Sequence, residues 1–600
     1  MYLYKTNNYE KSLSLYVFSN ALIIFISLFL WSKYGLNDYI LGTLLYIKPK
    51  FIINNVFVLF SILFVKMLLD VKEFLKKREV VIKTMNLNKK YTILLMVFSI
   101  FIFLGFILVE SSQWAMDYFD GLRIDQIIYS LSQPLTGADP QQFLNFVKDP
   151  LLKTLLYTSI IVILFYHLIF YSIDKSSDNE KIMKNKKRIL KLTPILALLF
   201  VFFSLNMGVN IIGKEDIKIY FFENTSLYEK YYVKPEEVNI NFNEKKNLIY
   251  IMLESMESSF SSEEFGGYGK ENLIPNLSKL AQEEGLNFSN RDNLGGAFQV
   301  PGTNQTITGT VAQTAGVPVR IDLNGDSNAN YYGMNQNEGY LPGAYALGDV
   351  LEKEGYEQMY FIGSDASFAG RDSYFSEHGN YEIRDLFWAK EHGLVPEDYY
   401  KWWGIEDERL YEFAKDSLLE LASRGKPFNF TMLTTNTHFP DGYLSEQTEN
   451  VFDEQYSNVI FQADKLVYEF INWIKEQEFY EDTVIVVVGD HLSMDKEYFL
   501  NWDKNYERTV FNLFLNVDKQ PIQNKNREFT SLDLYATTLS AMSAEIEGNR
   551  LGLGVNLFSN ENTIVEDIGF ENLSNELLKS STFYQEYILQ GTEKKAGYEN

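Results

Sequence analysis

Five long apolar segments in the first 209 residues place the strongest constraint on how this chain can fold. Each segment is about long enough for a helix to cross the ~30 Å hydrocarbon core of a bilayer. The sequence therefore predicts a transmembrane domain of five helices over residues 1–209. The predicted crossings are residues 15–31, 51–69, 91–109, 155–171 and 189–209.

Basic residues in the connecting loops predict the orientation of these helices. Residues 70–90 contain seven Lys or Arg and residues 172–188 contain six, whereas the other two loops contain few. Because positive charge marks the cytoplasmic side, the N-terminus is predicted to be inside. Five crossings then place the loop 110–153 and everything after about residue 210 outside the cytoplasm. We expect a short amphipathic segment at the membrane surface within 110–153, and a linker over 210–245.

The charge of the chain is divided unevenly between its two parts. Residues 1–209 carry 23 Lys and Arg against 14 Asp and Glu, a net charge of +9, while the rest carries 31 against 65, a net charge of −34. Such an acidic domain repels nucleic acid, so we expect no nucleic-acid partner. The chain has no cysteine and only five histidines, so a metal site must depend mainly on carboxylates and hydroxyls.

The second part of the chain, residues 246–600, has the pattern of an α/β domain. Apolar runs of strand length alternate with segments of helical periodicity, which predicts a mostly parallel sheet with helices on both faces. The predicted strands are 247–253, 358–363, 427–435 and 482–490, and two of the predicted helices are 272–285 and 407–425.

Two of the predicted strands end in residues that can bind a metal. One ends at Glu254, and another, "TVIVVVGD", ends at Asp490 followed directly by His491. A strand that simply reaches solvent would also end in polar residues. However, α/β enzymes place their chemistry at the carboxyl ends of parallel strands, and an adjacent Asp and His can both reach one divalent cation.

A threonine-rich segment offers a candidate nucleophile. Residues 296–320 contain Thr303, Thr306, Thr308 and Thr310. Threonine commonly caps helices, and this is the simpler reading of the segment alone. A threonine hydroxyl at a helix N-terminus beside a cation can instead be activated to attack phosphorus. Because the chain also contains Glu254, Asp490 and His491, we favour a catalytic role for a threonine of this segment.

Five motifs carry a resemblance to a known family. In order they are "MLESMESSF", "TNQTITGTVAQTAGVPV", "TTNTHFPDGY", "GDHLSM" and "IEGNRLGLGVNLFS". With the five crossings, the chain resembles the membrane-bound phosphoglycerol transferases of the alkaline phosphatase/sulfatase superfamily. These include lipoteichoic acid synthases and phosphoglycerol transferase I, which modifies periplasmic glucans; the second and fifth motifs are more similar to the glucan-modifying branch.

The resemblance implies a set of site residues and a cofactor. It implies one divalent cation, usually manganese, held by Glu254, Thr306, Asp490 and His491. Thr306 would also be the nucleophile, with Thr303 as the alternative, and His438 and Arg371 would hold the transferred phosphate. Lipoteichoic acid synthases have a Trp shortly before that Arg, where this chain has Phe368 or Ala369. We interpret Glu257, His378 and His392 as surface, capping or packing residues. Trp402 and Trp403 could line the acceptor cleft, but packing in the core is the preferred interpretation.

The resemblance also implies an activity. Glycerol phosphate would pass from the membrane lipid phosphatidylglycerol, through a phospho-threonine intermediate, to a glycan or teichoic acid acceptor, with release of diacylglycerol. The alternatives are a phosphoethanolamine transferase and a non-catalytic membrane receptor that kept the fold. A sulfatase is excluded, because the chain has neither a cysteine nor a Ser-x-Pro-x-Arg motif near residue 300.

Overall fold

The computed structural model of the protein describes residues 82–84, 89–119, 123–132, 140–173, 179–321 and 339–591. The chain divides into two compact units, residues 1–111 with 147–208, and residues 112–146 with 209–600. The first two predicted crossings, 15–31 and 51–69, lie outside the described residues.

The described residues up to 212 are mainly helical. The helices are α1 (Lys89–Tyr118), α2 (Ile124–Ser132), α3 (Pro140–Phe146), α4 (Leu152–Phe170) and α5 (Asn179–Ile212), with a π-helical turn at Val147–Leu151 before α4. Two short strands, β1 (Ile82–Thr84) and β2 (Tyr171–Ile173), pair antiparallel.

Three stretches within these helices are long and apolar enough to cross a membrane. They are Lys90–Tyr118, Phe143–Tyr166 and Lys187–Ile212, which correspond to the third, fourth and fifth predicted crossings. Within the first unit, α1 and α5 approach closely at Gly105, where an added Cβ would lie 2.4 Å from the ring of Phe200. A glycine is therefore needed at this helix contact.

A seven-stranded sheet forms the centre of the second unit. Its strand order is β5-β10-β9-β4-β8-β6-β7. The bounds are β4 (Asn247–Leu253), β5 (Gly296–Ala297), β6 (Glu357–Ile362), β7 (Glu382–Arg384), β8 (Phe428–Leu433), β9 (Thr483–Gly489) and β10 (Val510–Leu515). All pairs from β9 through β7 are parallel, whereas β10 is antiparallel to both of its neighbours. The sheet is therefore mixed, and its parallel part contains all four predicted strands.

Helices and small strand pairs surround this sheet. The helices are α6 (Lys214–Phe222), α7 (Leu227–Tyr231), α8 (Pro275–Glu283), α9 (Thr306–Ala315), α10 (Leu347–Lys353), α11 (Arg371–Glu377), α12 (Leu386–Glu391), α13 (Asp407–Ser423), α14 (Gln455–Lys475), α15 (Leu534–Ala541), α16 (Ile564–Ile568) and α17 (Phe570–Leu578). Strand β3 (Ile240–Phe242) pairs with β11 (Ala544–Ile546), and β12 (Arg550–Leu551) pairs with β13 (Gly554–Val555).

Both faces of the sheet are buried, as the continuous apolar run of β4 predicts. Alternate side chains of a strand point to opposite faces. Accordingly Leu248, Tyr250 and Met252 enter one apolar core. Ile249 and Ile251 enter the other. Burial on both faces is typical of a central parallel strand, and it leaves only the strand ends exposed for chemistry.

The predicted amphipathic segment of the loop 110–153 corresponds to α2, whose apolar face is buried. Ile124, Ile128 and Tyr129 are buried in the same core of the second unit as Ile307 of α9. The apolar face of α2 is therefore packed against protein, and the position of the helix relative to the membrane stays a prediction. Nothing in residues 110–153 alone indicates the core that α2 joins.

Residues 210–245, predicted to be a linker, are largely folded against the second unit. They form α6, α7 and β3, and Tyr220, Leu227 and Tyr228 are buried in its core. They therefore belong to the second unit rather than to a free connection between two domains.

Candidate active site

Two neighbouring strands bring the predicted metal ligands to one edge of the sheet. Strand β4 ends at Leu253 and β9 ends at Gly489, and these two residues are partners in the parallel pairing of the strands. The next residues, Glu254 on one strand and Asp490 on the other, therefore leave the sheet side by side. His491 follows directly, so one edge of the sheet carries all three side chains.

Glu254, Asp490 and His491 form a compact buried cluster. One ligand atom from each lies within 4.8 Å of the others. The Nε2 atom of His491 lies 3.5 Å from Glu254 Oε1 and 3.5 Å from Asp490 Oδ2. Nδ1 of the same ring lies 2.8 Å from the carbonyl oxygen of Leu492. A hydrogen bond donated there places the proton on Nδ1 and directs an Nε2 lone pair into the cluster.

Ser255 orients both carboxylates of the cluster. Its backbone N–H donates to Asp490 Oδ1 over 2.7 Å, and its hydroxyl donates to Glu254 Oε1 over 2.7 Å. The residue achieves this with a φ of 54°, in the left-handed region that few non-glycine residues occupy. Sequence reasoning missed Ser255, because its role depends on this backbone conformation.

One oxygen of the cluster provides a test for a bound cation. Asp490 Oδ1 accepts two backbone hydrogen bonds, from Ser255 and His491. Asp490 Oδ2 is buried and has no hydrogen-bond partner among the described residues. Such an oxygen is costly in a protein interior, and a cation between the carboxylates and the imidazole would satisfy it. Carboxylate, imidazole and hydroxyl donors together suit a divalent metal ion.

The electrostatics of the cluster lead to the same conclusion. Burial, with the charge of Glu254 second, raises the pKa of Asp490 to about 7. Burial also acts to raise the pKa of Glu254. The charges of His491 and His438 outweigh this effect, so the pKa of Glu254 is lowered. Burial acts to lower the pKa of His491. The charges of Asp490 and Glu254 act to raise it and outweigh burial, so the pKa of His491 lies above its ordinary value. The crowded negative charge is thus offset by imidazole charge and by hydrogen bonds from Ser255 and the backbone, and a divalent cation would stabilise it further.

Thr306 lies beside this cluster as the first residue of α9. Its Oγ1 donates to Glu254 Oε2 over 3.2 Å and lies 3.5 Å from His491 Nε2. The positive end of a helix dipole favours negative charge at this position. The side chain is only partly buried, so the hydroxyl combines access with proximity to the metal-ligand cluster.

The hydroxyls of the other three threonines bond to backbone atoms. Thr303 Oγ1 donates to the carbonyl of Val300 over 2.8 Å and accepts from its N–H over 3.1 Å. Thr308 closes a capping box with Gln305. The hydroxyl of Thr310 donates to the carbonyl of Thr306 and also lies near the sulfur of Met252. Of the four, Thr306 is the one whose hydroxyl hydrogen-bonds to the cluster.

His438 and Arg371 follow strands of the sheet, His438 in a loop and Arg371 as the first residue of α11. His438 follows β8, and its charge contributes to the lowered pKa of Glu254; the preceding residue, Thr437, donates its hydroxyl to the carbonyl of Glu254. Arg371 begins α11 after β6 and is buried; its Nη2 donates to the carbonyl of Asp365 over 2.8 Å. Its Nε is buried with no hydrogen-bond partner among the described residues.

Trp403 lies against the residues predicted to hold phosphate. Its ring centroid is 4.6 Å from that of His438 and 5.7 Å from that of Phe368. Phe368 in turn lies under the guanidinium of Arg371. Trp403 is only partly buried, and its contacts with these residues agree with both interpretations, packing and the lining of an acceptor cleft.

The interpretation of Glu257 as a surface acid was wrong, although the residue does occupy the N-cap position of the helical turn Ser258–Phe260, without a capping hydrogen bond from its side chain. The residue is fully buried and makes two contacts with Arg508, of 3.0 Å and 2.5 Å. Its Oε1 also accepts from the backbone N–H of Ser493 over 2.8 Å. Glu257 therefore supports the loop that follows Asp490 and His491, and its ionic partner lies too far along the chain for sequence proximity to indicate it.

His378 and His392 lie outside the cluster, as interpreted. His378 is buried between Asp349, 3.0 Å from Nδ1, and the carbonyl of Tyr340, 2.7 Å from Nε2. His392 is exposed and stacks on Trp388.

Gly309→Ala is expected to weaken divalent-cation binding. A Cβ at Gly309 in α9 would lie 2.1 Å from the carbonyl oxygen of Asp490, so the helix and the metal-ligand loop must separate. The measurement is calorimetric titration of Mn²⁺ into purified protein, with the thermal midpoint recorded alongside. Gly348→Ala in α10 is the matched control, because its Cβ would lie 2.0 Å from the carbonyl of His378. The control should lower stability but not cation affinity; equal losses of affinity in both variants would contradict the prediction.

Residues 246–544 match the Sulfatase family. Together with the fold, this match defines the region as an α/β domain of the sulfatase type. Among curated proteins, the chain is similar to "Phosphoglycerol transferase I" of Xanthomonas campestris pv. campestris (strain B100), with 32% identity over 324 residues, covering 53% of this chain and 43% of that protein. The protein of the same name from Salmonella paratyphi B is 28% identical over 465 residues, covering 75% of this chain and 55% of that protein.

A solved structure also resembles this chain. The lipoteichoic acid synthase LtaP from Listeria monocytogenes has 18% sequence identity and a TM-score of 0.41, covering 55% of this chain and 80% of that one. The chain spans only about half the length of the curated relatives it matches.

Proposed function

We propose that the protein transfers glycerol phosphate from phosphatidylglycerol to a hydroxyl group of a cell-envelope glycan or teichoic acid polymer, releasing diacylglycerol. The observation that carries this proposal is the Thr306 hydroxyl, placed at a helix N-terminus and hydrogen-bonded to a buried cluster of metal-ligating residues. The names of the curated relatives support the same reaction class.

The reaction would proceed in two displacements at phosphorus. Thr306 Oγ1 attacks the phosphodiester while its proton moves towards Glu254 Oε2, and the bond from phosphorus to the diacylglycerol oxygen breaks. That oxygen takes up a proton, leaving a glycerophospho-threonine. An acceptor hydroxyl then attacks the same phosphorus, gives up its proton, and displaces Thr306, which is reprotonated.

The surrounding residues have separate roles in this scheme. Glu254, Thr306, Asp490 and His491 would hold one divalent cation, with manganese as the proposed ion. A bound cation stabilises developing negative charge and lowers the pKa of a neighbouring hydroxyl. His438 and Arg371 would donate to the phosphoryl oxygens and stabilise their charge. Of these two, Arg371 has a buried Nε still available for such a bond within the described part of the chain.

The proposed membrane topology follows from the loop charges and is supported by the division into units. We propose that residues 1–209 cross the membrane five times and that the catalytic domain, residues 246–600, lies outside the cytoplasm. Residues 112–146 and 209–600 form one compact unit, and both are predicted to be extracytoplasmic. A membrane anchor would keep the acidic domain near its lipid donor.

The direct test uses full-length protein in detergent with Mn²⁺ and phosphatidylglycerol carrying a labelled acyl chain. We expect release of labelled diacylglycerol, and loss of that release after chelation. Phosphatidylethanolamine with the same labelled chain is the matched substrate control. Release from phosphatidylethanolamine alone would instead identify a phosphoethanolamine transferase. No release from either lipid, with no binding of Mn²⁺, would favour a non-catalytic receptor.

A further inference from the structure

Helix α2 contacts the loop that leads into the nucleophile. Asp125 on α2 is buried, and its Oδ2 accepts from the backbone N–H of Gly302 over 3.1 Å and from Asn304 Nδ2 over 3.3 Å. The next residue, Gln126, donates from Nε2 to the carbonyl of Asn304 over 3.5 Å. Two adjacent side chains of α2 thus hold Asn304 by its side chain and by its backbone.

The segment that α2 holds is residues 302–305, which we call the nucleophile loop. It ends at Gln305, the N-cap of α9, directly before Thr306. On its other side the carbonyl of Gly302 accepts from the N–H of Val319 over 2.9 Å. Gly302 has a φ of 77°, and an added Cβ would lie 2.8 Å from the carbonyl of Val319. The loop is therefore fixed between Val319 and Asp125.

The position of this loop sets the position of the Thr306 hydroxyl. Thr306 is the first residue of α9, so a shift of the preceding backbone moves Oγ1 relative to Glu254 Oε2, its partner at 3.2 Å. Reaction rates depend steeply on such geometry, because a displacement of ~1 Å at a reacting group can cost ~100-fold in rate. A buried carboxylate that fixes the loop can therefore influence the chemistry without contacting the substrate.

We propose that Asp125, supplied by the loop between two predicted membrane crossings, is a positioning residue that holds the nucleophile loop in its reactive conformation. The expected effect on the reaction rate rests on the proposed function, whereas the contact between Asp125 and the loop does not. Asp125 would have this positioning role although α2 precedes the sulfatase-like region in sequence by more than 100 residues.

Three variants separate a positioning role from a merely structural one. Asp125→Ala removes both hydrogen bonds to the loop. Asp125→Asn keeps an acceptor oxygen for Gly302 and Asn304, and its amide nitrogen replaces Oδ1, which has no hydrogen-bond partner within the described ranges. Ile128→Ala removes buried apolar surface from the same helix but leaves the contacts with the loop intact.

The first readout is amide hydrogen exchange of the full-length protein, followed in peptides that cover residues 299–306. Asp125→Ala is expected to raise exchange in these peptides by about tenfold, because the N–H of Gly302 loses its acceptor. Asp125→Asn and Ile128→Ala should leave the exchange near the wild-type level. Unchanged exchange in Asp125→Ala would overturn the inference, whatever lipid the protein uses.

The second readout is the steady-state release of diacylglycerol from phosphatidylglycerol. Asp125→Ala is expected to lower kcat by about 10- to 100-fold with KM nearly unchanged, and Asp125→Asn should restore most of this loss. Ile128→Ala should lower the thermal midpoint at least as much as Asp125→Ala while keeping kcat. A normal kcat in Asp125→Ala, or equal losses in all three variants, would overturn the positioning role. If the wild type releases no diacylglycerol, the proposed function fails, and the exchange measurement still decides whether Asp125 holds the loop.

Discussion

Thr306→Ala is expected to lower diacylglycerol release from phosphatidylglycerol by ~10⁴-fold or more, the scale seen when a nucleophile is removed from a covalent mechanism. The variant loses the atom that would bond to phosphorus, so the first displacement cannot occur. The fold should remain, because the Thr306 side chain is only partly buried and its hydroxyl bonds to the cluster rather than to the backbone. The measurement is labelled diacylglycerol per enzyme in the presence of Mn²⁺.

Thr303→Ala is the matched control for this variant. The Thr303 hydroxyl, inside the nucleophile loop, closes a local turn with Val300, so its loss should cost about 1 kcal/mol of stability. A shift of the loop can lower turnover by up to about 100-fold, which remains far smaller than the loss expected in Thr306→Ala. Mass spectrometry of quenched wild-type enzyme should find glycerol phosphate on the peptide that contains Thr306. An inactive Thr303→Ala beside an active Thr306→Ala would reverse the assignment of the nucleophile.

Arg508→Ala is expected to lower the free energy of unfolding of the second unit by about 3–5 kcal/mol, because it leaves the buried carboxylate of Glu257 without its charge partner. Arg508 makes two contacts with Glu257, donates to the carbonyl of Ser493, and lies 3.5 Å above the ring of Phe499. Chemical denaturation of the full-length protein in detergent, followed by tryptophan fluorescence, measures the loss. Cation affinity should fall as well, because Glu257 also supports the loop after His491.

An exposed ion pair provides the control for this second variant. Lys465 and Glu449 are 3.0 Å apart, and both side chains are largely exposed. Lys465→Ala should therefore change stability by less than about 1 kcal/mol. A loss in Arg508→Ala no larger than that in Lys465→Ala would show that the pair with Glu257 contributes little.

The parallel centre of the sheet could be predicted because its strands are continuous apolar runs. The predicted strand 247–253 agrees with β4, and the other three agree with β6, β8 and β9 within two residues at each end. Strand β10 was missed, because Asn512 interrupts its apolar run. The Asn512 side chain is buried and satisfied by both the N–H and the carbonyl of Phe288, a partner that no local pattern reveals.

The candidate site could be predicted only where a residue's type and its place at a strand end were sufficient. Glu254, Asp490 and His491 met that condition, and the structure brings them together. Asp125 could not be found in this way, because its partners lie 177 and 179 positions further along the chain. Side chains that act through distant partners become visible only when the fold is known.

The long stretch of sequence between α2 and the nucleophile loop that it contacts also affects the order in which the protein assembles. Asp125 is synthesised 177 positions before Gly302, a delay of roughly 10–35 s at ordinary rates of translation. A nine-residue helix is not stable in isolation, so α2 has no folded state to adopt during that interval. The nascent chain must keep Ile124, Ile128 and Tyr129 from non-native contacts until residues 302–321 emerge. Assembly of the nucleophile loop is therefore a late event in the biogenesis of this protein.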